Sequence, residues 1–181
     1  MANIDISKLL KKAEDAFNRR NYGLAIFSYQ QAVALQPDSL EARQKLRATQ
    51  TRNFNENGGS SFKMLMAYAK AILLSSLGKH EQAMIACEAA ITANPQHIGA
   101  LTLFAKSASE AEFYELAAWQ RQEIADKHAR EDEGNLWELA SLYEALENGA
   151  KAVETYDRIK ELNPDADTDQ AIRNASAMTM T

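Results

Sequence analysis

The chain has 181 residues, a length that suits one domain with a hydrophobic core. Hydrophobic residues make up 46% of it, and only seven glycines and three prolines interrupt long stretches of good helix formers, so composition predicts an all-α fold. The net charge of −5 argues against generic nucleic-acid binding, which needs a basic surface.

Targeting signals and membrane segments are missing from the sequence pattern. No apolar run approaches the ~20 residues of a membrane span, and the N-terminus lacks the features of a secretory signal. A single cysteine, Cys87, excludes an intramolecular disulfide and favours a reducing compartment. We therefore expect a cytoplasmic protein without a membrane or nucleic-acid partner.

Charge is spread unevenly along the chain. Up to Glu56 the chain contains nine Lys and Arg and six Asp and Glu, a net charge of +3. Beyond Glu56 it contains eleven Lys and Arg and nineteen Asp and Glu, a net charge of −8. The basic excess falls largely on Arg43, Lys45, Arg47 and Arg52. Two interpretations follow: a solvated helix face, or a docking surface for an acidic partner.

Three similar phrases, each typical of an amphipathic helix stopped by a proline, end at Pro37, Pro95 and Pro164. The prolines are 58 and 69 residues apart. The longer spacing is about twice a ~34-residue repeat period, so one repeat has lost its proline near Ala129. The shorter spacing predicts an insertion of about 24 residues after the first repeat.

Small residues recur in phase with the prolines. They suit places where two helices of a hairpin cross closely and a larger side chain would overpack. These positions are Ala13, Ala25, Ala32, Ala71, Ala83, Ala90, Ala105, Ala117, Ala140 and Ala152. With Tyr29, Cys87 and Tyr156 between hairpins, the pattern resembles the tetratricopeptide-repeat family over roughly residues 5–37 and 64–166.

The resemblance implies an α-solenoid of about four helical hairpins. In chain order we expect a first hairpin plus an extra helix over 5–54, a flexible linker over 55–61, and repeats two to four over 62–166. Asp38 or Ser39 can cap the extra helix. A capping helix and tail, with Asp167 at the N-cap, complete the expected order over 167–181.

In this family the first helix of each hairpin lines a concave groove. The resemblance places these residues there: Leu10, Glu14, Phe17, Tyr68, Ile72, Ser75, Thr102, Lys106, Ser109, Trp137, Ser141 and Glu144. Aromatic residues are common both at binding hot spots and in packing between repeats, so Tyr68 and Trp137 are open to either interpretation. Paired Lys and Asn that grip a terminal carboxylate are not found at these places, which argues against a co-chaperone for Hsp70 or Hsp90 tails.

No catalytic or cofactor motif is present. The three histidines have no partner at metal-ligand spacing, and the glycine pair at 58–59 follows no strand. The resemblance implies that His80 packs as an aromatic and that Cys87 is a buried hydrophobe. We therefore expect no enzyme activity, no cofactor and no bound metal.

The leading functional interpretation is a scaffold or adaptor that binds a partner peptide or helix in the groove. One alternative is a chaperone of the type III secretion kind, which resembles this chain in size and charge. Another is a self-assembling segment, through homo-oligomerisation or a domain swap of the first hairpin.

Overall fold

The computed structural model describes residues 5–179, which form ten α-helices and no strand. They are α1 (Ser7–Asn18), α2 (Tyr22–Leu35), α3 (Leu40–Asn57), α4 (Ser61–Ser76), α5 (His80–Ala93), α6 (Ile98–Glu110), α7 (Tyr114–Lys127), α8 (Glu133–Ala145), α9 (Gly149–Leu162) and α10 (Asp169–Met178). The predicted all-α repeat fold is confirmed. The helices α1–α2, α4–α5, α6–α7 and α8–α9 are the four repeats, α3 is the insertion, and α10 follows the last repeat.

The same turn joins the two helices of every repeat. Its central residue has positive φ, at 58°, 71°, 62° and 54° in Arg20, Gly78, Glu112 and Glu147. The N–H of the following residue donates to a carbonyl five residues earlier, as from Asn21 to Ala16 at 2.9 Å and from Asn148 to Tyr143 at 2.8 Å. This is the bond that closes a helix with a left-handed residue after its end. The repeats therefore share the backbone geometry of this turn as well as the residue types at equivalent positions.

The alanines at the predicted helix crossings lie in the core. Ala13, Ala71, Ala105 and Ala140 occupy one repeat position, and all four are fully buried. Their partners across the hairpin, Ala25, Ala83, Ala117 and Ala152, are fully buried as well. The packing interpretation of the small residues is confirmed.

The chain divides into two compact units after Leu103, inside α6. In the first unit α1 packs on α2, α4 packs on α5, and α3 packs on both α2 and α5. The side chain of Ser39 caps α3 by accepting from the Ala42 N–H at 3.3 Å. The predicted extra helix is present, and it joins the first hairpin to the second.

The predicted linker over 55–61 is shorter in the structure, because α3 continues to Asn57 and α4 begins at Ser61. The Ser60 N–H donates to the Ala93 carbonyl at 3.3 Å. A Cβ on Gly59 would clash with that same carbonyl oxygen and lie 2.5 Å from the Phe54 ring. The connection therefore packs against the end of α5.

In the second unit α7 packs on α8, α8 on α9, and α9 on α10. The last helix begins at Asp169, with Thr168 at its N-cap and no side-chain capping bond, so the expected cap by Asp167 is wrong. Gly149 allows the close approach of α10, since a Cβ there would clash with the Ala175 carbonyl oxygen.

Replacing Gly59 by Ala is expected to lower the free energy of unfolding by about 1–3 kcal/mol, because the added methyl group overpacks the junction of α3 and α5. Gly23→Ala is the matched control, since nothing lies within 4 Å of a Cβ at that helical position. Urea unfolding of both variants measures the difference. Equal stabilities would contradict the close packing of the connection.

Candidate functional site

The predicted groove residues of α1 are tied into the first unit. Leu10 and Phe17 are half-buried against the core of the first hairpin, and the Phe17 ring lies 5.6 Å from that of Tyr22. Glu14 accepts a hydrogen bond from the Lys45 ammonium of α3. Glu14 is therefore paired with a lysine of the inserted helix and is not available to a ligand.

Tyr68 packs within the first unit. Its ring meets the His97 ring edge-on at 4.8 Å. A Cβ on Gly99 would come within 2.7 Å of the Tyr68 hydroxyl, so Tyr68 also lies close to the start of α6. Thr102 is half-buried and Ile72 is exposed. Of these three predicted groove residues, Ile72 is the one most open to solvent.

Trp137 packs within the second unit. Its indole N–H donates to Glu133 Oε1 at 3.0 Å, and its ring lies 5.6 Å from that of Tyr156 in an edge-on contact. Burial raises the pKa of the Tyr156 hydroxyl to about 12. Lys106 and Ser141 are exposed. The ring contact favours the packing interpretation of Trp137 over that of a free anchor.

Arg43 and Arg47 are buried, so both interpretations of the basic cluster are wrong for these residues. Arg43 Nη1 lies 3.2 Å from Glu88 Oε1, and Arg47 Nη2 lies 3.4 Å from the same oxygen. Gln50 donates to Glu88 Oε2 at 2.9 Å. The basic cluster on α3 therefore surrounds a carboxylate of α5.

This network is held away from water. The Arg43 side chain is 1% exposed and that of Glu88 is 4% exposed. Burial lowers the pKa of the Arg43 guanidinium, and the nearby Glu88 carboxylate opposes that shift. The guanidinium stays charged, because arginine begins with a pKa far above neutral pH. The ion pair thus compensates charges that would otherwise be strongly unfavourable inside the fold.

The remaining cations of the basic cluster are also paired. Lys45 contacts Glu14 and Glu41, and Arg52 lies 2.6 Å from Glu56. Further exposed basic residues of the first unit lie on α1. There Lys8, Lys11, Lys12 and Arg19, with Asp15, line a cavity of about 540 Å³.

A stripe of large apolar side chains runs along the exposed side of α4 and just past its end. It consists of Phe62, Leu65, Met66, Ile72, Leu73 and Leu77, which we call the α4 face. Phe62 is 74% exposed and Leu73 is 60% exposed. The spacing of three, four and seven residues places these side chains on one side of the helix, opposite the buried Ala71.

The α4 face is an extended apolar patch. All six of its residues are exposed, by 48% to 74%, and the largest apolar patch of a typical monomer covers ~300–600 Å² and is often functional. A standard interface buries ~800 Å² on each partner. Ile72 was the only one of the six predicted to bind a partner; the helical spacing of the other five was the available signal.

Chemistry-bearing residues are sparse elsewhere. Cys87 is fully buried and free, and burial raises the pKa of its thiol to about 12, which suits the predicted hydrophobe. Residues 5–179 contain no group of three or more His, Cys, Asp or Glu placed to hold a metal ion. Within that same range, none of the helices has the length and apolar character of a bilayer span.

Two stretches match models described as tetratricopeptide repeat, residues 66–97 and residues 135–166. These are the second and fourth repeats of the structure. No curated protein matches the sequence.

Solved structures share the fold at low sequence identity. The first TPR of Spaghetti (RPAP3) bound to HSP90 peptide SRMEEVD has a TM-score of 0.57 and 19% identity, covering 68% of this chain and 98% of its own. The TPR2AB-domain:pHSP90-complex of yeast Sti1 has a TM-score of 0.55 and 13% identity, with 97% and 68% covered. YrrB, a TPR protein with an unusual peptide-binding site, has a TM-score of 0.53 and 15% identity, with 96% and 92% covered.

Glu88→Ala is expected to lower the free energy of unfolding by about 3–5 kcal/mol, because it leaves two buried guanidinium groups without a counter-charge. Glu81→Ala, at an exposed position on the same helix, is the matched control. Combined replacement of Arg43, Arg47 and Glu88 by apolar residues is expected to recover most of the loss. Chemical denaturation measures all three, and a Glu88 variant as stable as the control would refute the role of the network.

Trp137→Ala is expected to cost about 2 kcal/mol of stability, less than the ~3–5 kcal/mol of a fully buried tryptophan, because the ring is only half-buried. Ser141→Ala, an exposed change on the same helix, should leave stability unaltered. Thermal unfolding followed by circular dichroism compares the two. An unchanged melting temperature for the Trp137 variant would contradict the packing interpretation and favour a role of this residue in partner binding.

Proposed function

The chain is a tetratricopeptide-repeat protein, and we propose that it is an interaction scaffold that holds a partner protein on the α4 face. The α4 face is the observation that carries this proposal, since six large apolar side chains lie in water on one helix. Structural neighbours that hold peptides support a binding role for the fold.

The register of the repeats supports this proposal. The left-handed turn residues align the repeats, so Met66 and Leu73 of α4 correspond to Asn135 and Leu142 of α8. The two α8 residues are buried. Asn135 exchanges two hydrogen bonds with Arg121 of α7, at 3.2 and 3.0 Å. In the fourth repeat, therefore, a preceding helix covers this position.

The first repeat shows the opposite arrangement. By the same alignment Met66, Leu73 and Leu77 correspond to Lys8, Asp15 and Arg19 of α1. All three are exposed and polar, as expected for a helix that no other helix covers. The helix α4 thus carries the residues of a covered position and the exposure of an uncovered one.

The inserted helix accounts for the missing cover. Arg43, Arg47 and Gln50 of α3 meet Glu88 of α5, so α3 approaches the second hairpin on its α5 side. The α4 face is left bare as a consequence. A scaffold that offers such a face to a partner completes its own stack when the partner binds.

Of the groove residues predicted from the sequence, Ile72 is also part of the α4 face. Lys106 and Ser141 are exposed and remain predicted groove residues. The HSP90 peptides of two structural neighbours are not carried over, because paired Lys and Asn are not found at the predicted groove residues, among which Glu14 is paired with Lys45. Self-association through the α4 face is the competing occupant.

Leu65→Ser combined with Leu73→Ser is expected to abolish capture of the partner by the immobilised chain, because both side chains are largely exposed and contribute apolar contact only when covered. Affinity capture from the native cell, with quantitative comparison of the retained proteins, measures the loss. The fold should be unaffected, since neither residue belongs to the core.

Leu162→Ser is the matched control, because this leucine is exposed but lies on α9. A protein retained by the control and lost by the α4 variant supports the proposal. Identical sets of retained proteins for both variants would exclude the α4 face as the binding site.

A further inference from the structure

We propose that the occupant of the α4 face is an amphipathic helix of another protein that carries carboxylates along one edge. This inference rests on the proposed function, since it names the partner chemistry of the same face. Its evidence is the shape of the stripe and the charges that flank it.

The stripe has the dimensions of a helix-binding site. From Phe62 to Leu77 a helical path rises about 23 Å, or roughly four turns. Helices dock on such surfaces through apolar residues spaced three, four and seven positions apart. On α8, Asn135 and Leu142 correspond to Met66 and Leu73; both are buried, and the helix α7 contacts Asn135. A helix is therefore the element that this register position accepts within this chain.

Two lysines line one edge of the α4 face. Lys70 lies four residues after Met66 and three before Leu73, and Lys63 lies three residues before Met66, so both adjoin the same side of the stripe. Both are exposed. The helix α4 itself contains no Asp or Glu.

These lysines differ from Lys45 and Arg52 of the first unit. Lys45 and Arg52 each contact a glutamate. Among the described residues, no ion pair involves Lys63 or Lys70. An apolar stripe with an unneutralised basic edge is complementary to a helix with an acidic edge.

The same charges disfavour an antiparallel second copy as the occupant. Two α4 helices paired antiparallel by a two-fold axis would place Lys63 and Lys70 of both copies along one seam. Like charges along a seam oppose association, and α4 offers no carboxylate to offset them. A different protein with acidic residues avoids this repulsion.

A display library tests the inference with the full chain as bait. Each member is an 18-residue helix with a fixed apolar stripe and with Glu, Gln or Lys at the positions of one edge. Selection on the wild-type chain is expected to enrich Glu at that edge. Selection on the Lys63→Glu, Lys70→Glu double variant is expected to enrich Lys instead, and Glu-edged binders should lose about tenfold in affinity for it.

Further arms separate failure of this inference from failure of the proposed function. Binders that need Leu73 but show no charge preference would refute the acidic edge and leave the α4 face as a docking site. If no binder appears, or if binders are indifferent to Leu73→Ser, both proposals fail.

Two other occupants would also overturn the inference. The first is a dimer of the chain that dissociates on dilution and is lost in Leu73→Ser, as measured by sedimentation. The second is Leu73-dependent binding to vesicles of phosphatidylserine and phosphatidylcholine, which would indicate a lipid surface instead of a protein helix.

Discussion

The buried carboxylate of Glu88 is the constraint on which the first unit depends. Two guanidinium groups and one amide of α3 satisfy it, so α3 can leave α5 only by exposing or orphaning several charges. Breaking such a pair costs far more than its formation contributes, which makes the arrangement specific even where an apolar core would be equally stable. The network therefore holds α3 against α5, an arrangement in which the α4 face stays exposed.

Most of the fold could be predicted from the sequence because its determinants are local and repeated. Alanine at a helix crossing recurs in all four hairpins, and a proline follows three of them. The Arg43–Glu88 pair has no such signal, since the two residues are 45 positions apart and Arg43 lies on the inserted helix, outside the repeat pattern. Charged residues in helices are usually solvated, so a buried network of them contradicts the general expectation.

The candidate site was harder to predict for a related reason. Large apolar residues at the positions of Met66 and Leu73 are typical of packing between repeats, and only the position of α3 shows that no helix of the first unit covers them. The aromatic residues show the reverse case. Tyr68 and Trp137 lie on the first helices of their repeats, as a groove requires, but their rings pack against His97 and Tyr156. The repeat register predicts on which side of a helix a residue lies. Whether its side chain is available to a partner depends on the side chains that pack against it.

The first helices of the first two repeats, α1 and α4, differ in polarity at the same register positions, and this difference bears on the role of the α4 face. At the register positions of Met66, Leu73 and Leu77, the helix α1 carries Lys8, Asp15 and Arg19, so the fold accepts polar residues there when nothing covers them. Leaving leucine and methionine in water invites aggregation and contributes nothing to the stability of the monomer. These residues are therefore best explained by an interaction that covers them, for which α3 leaves room by binding to α5 instead of α4.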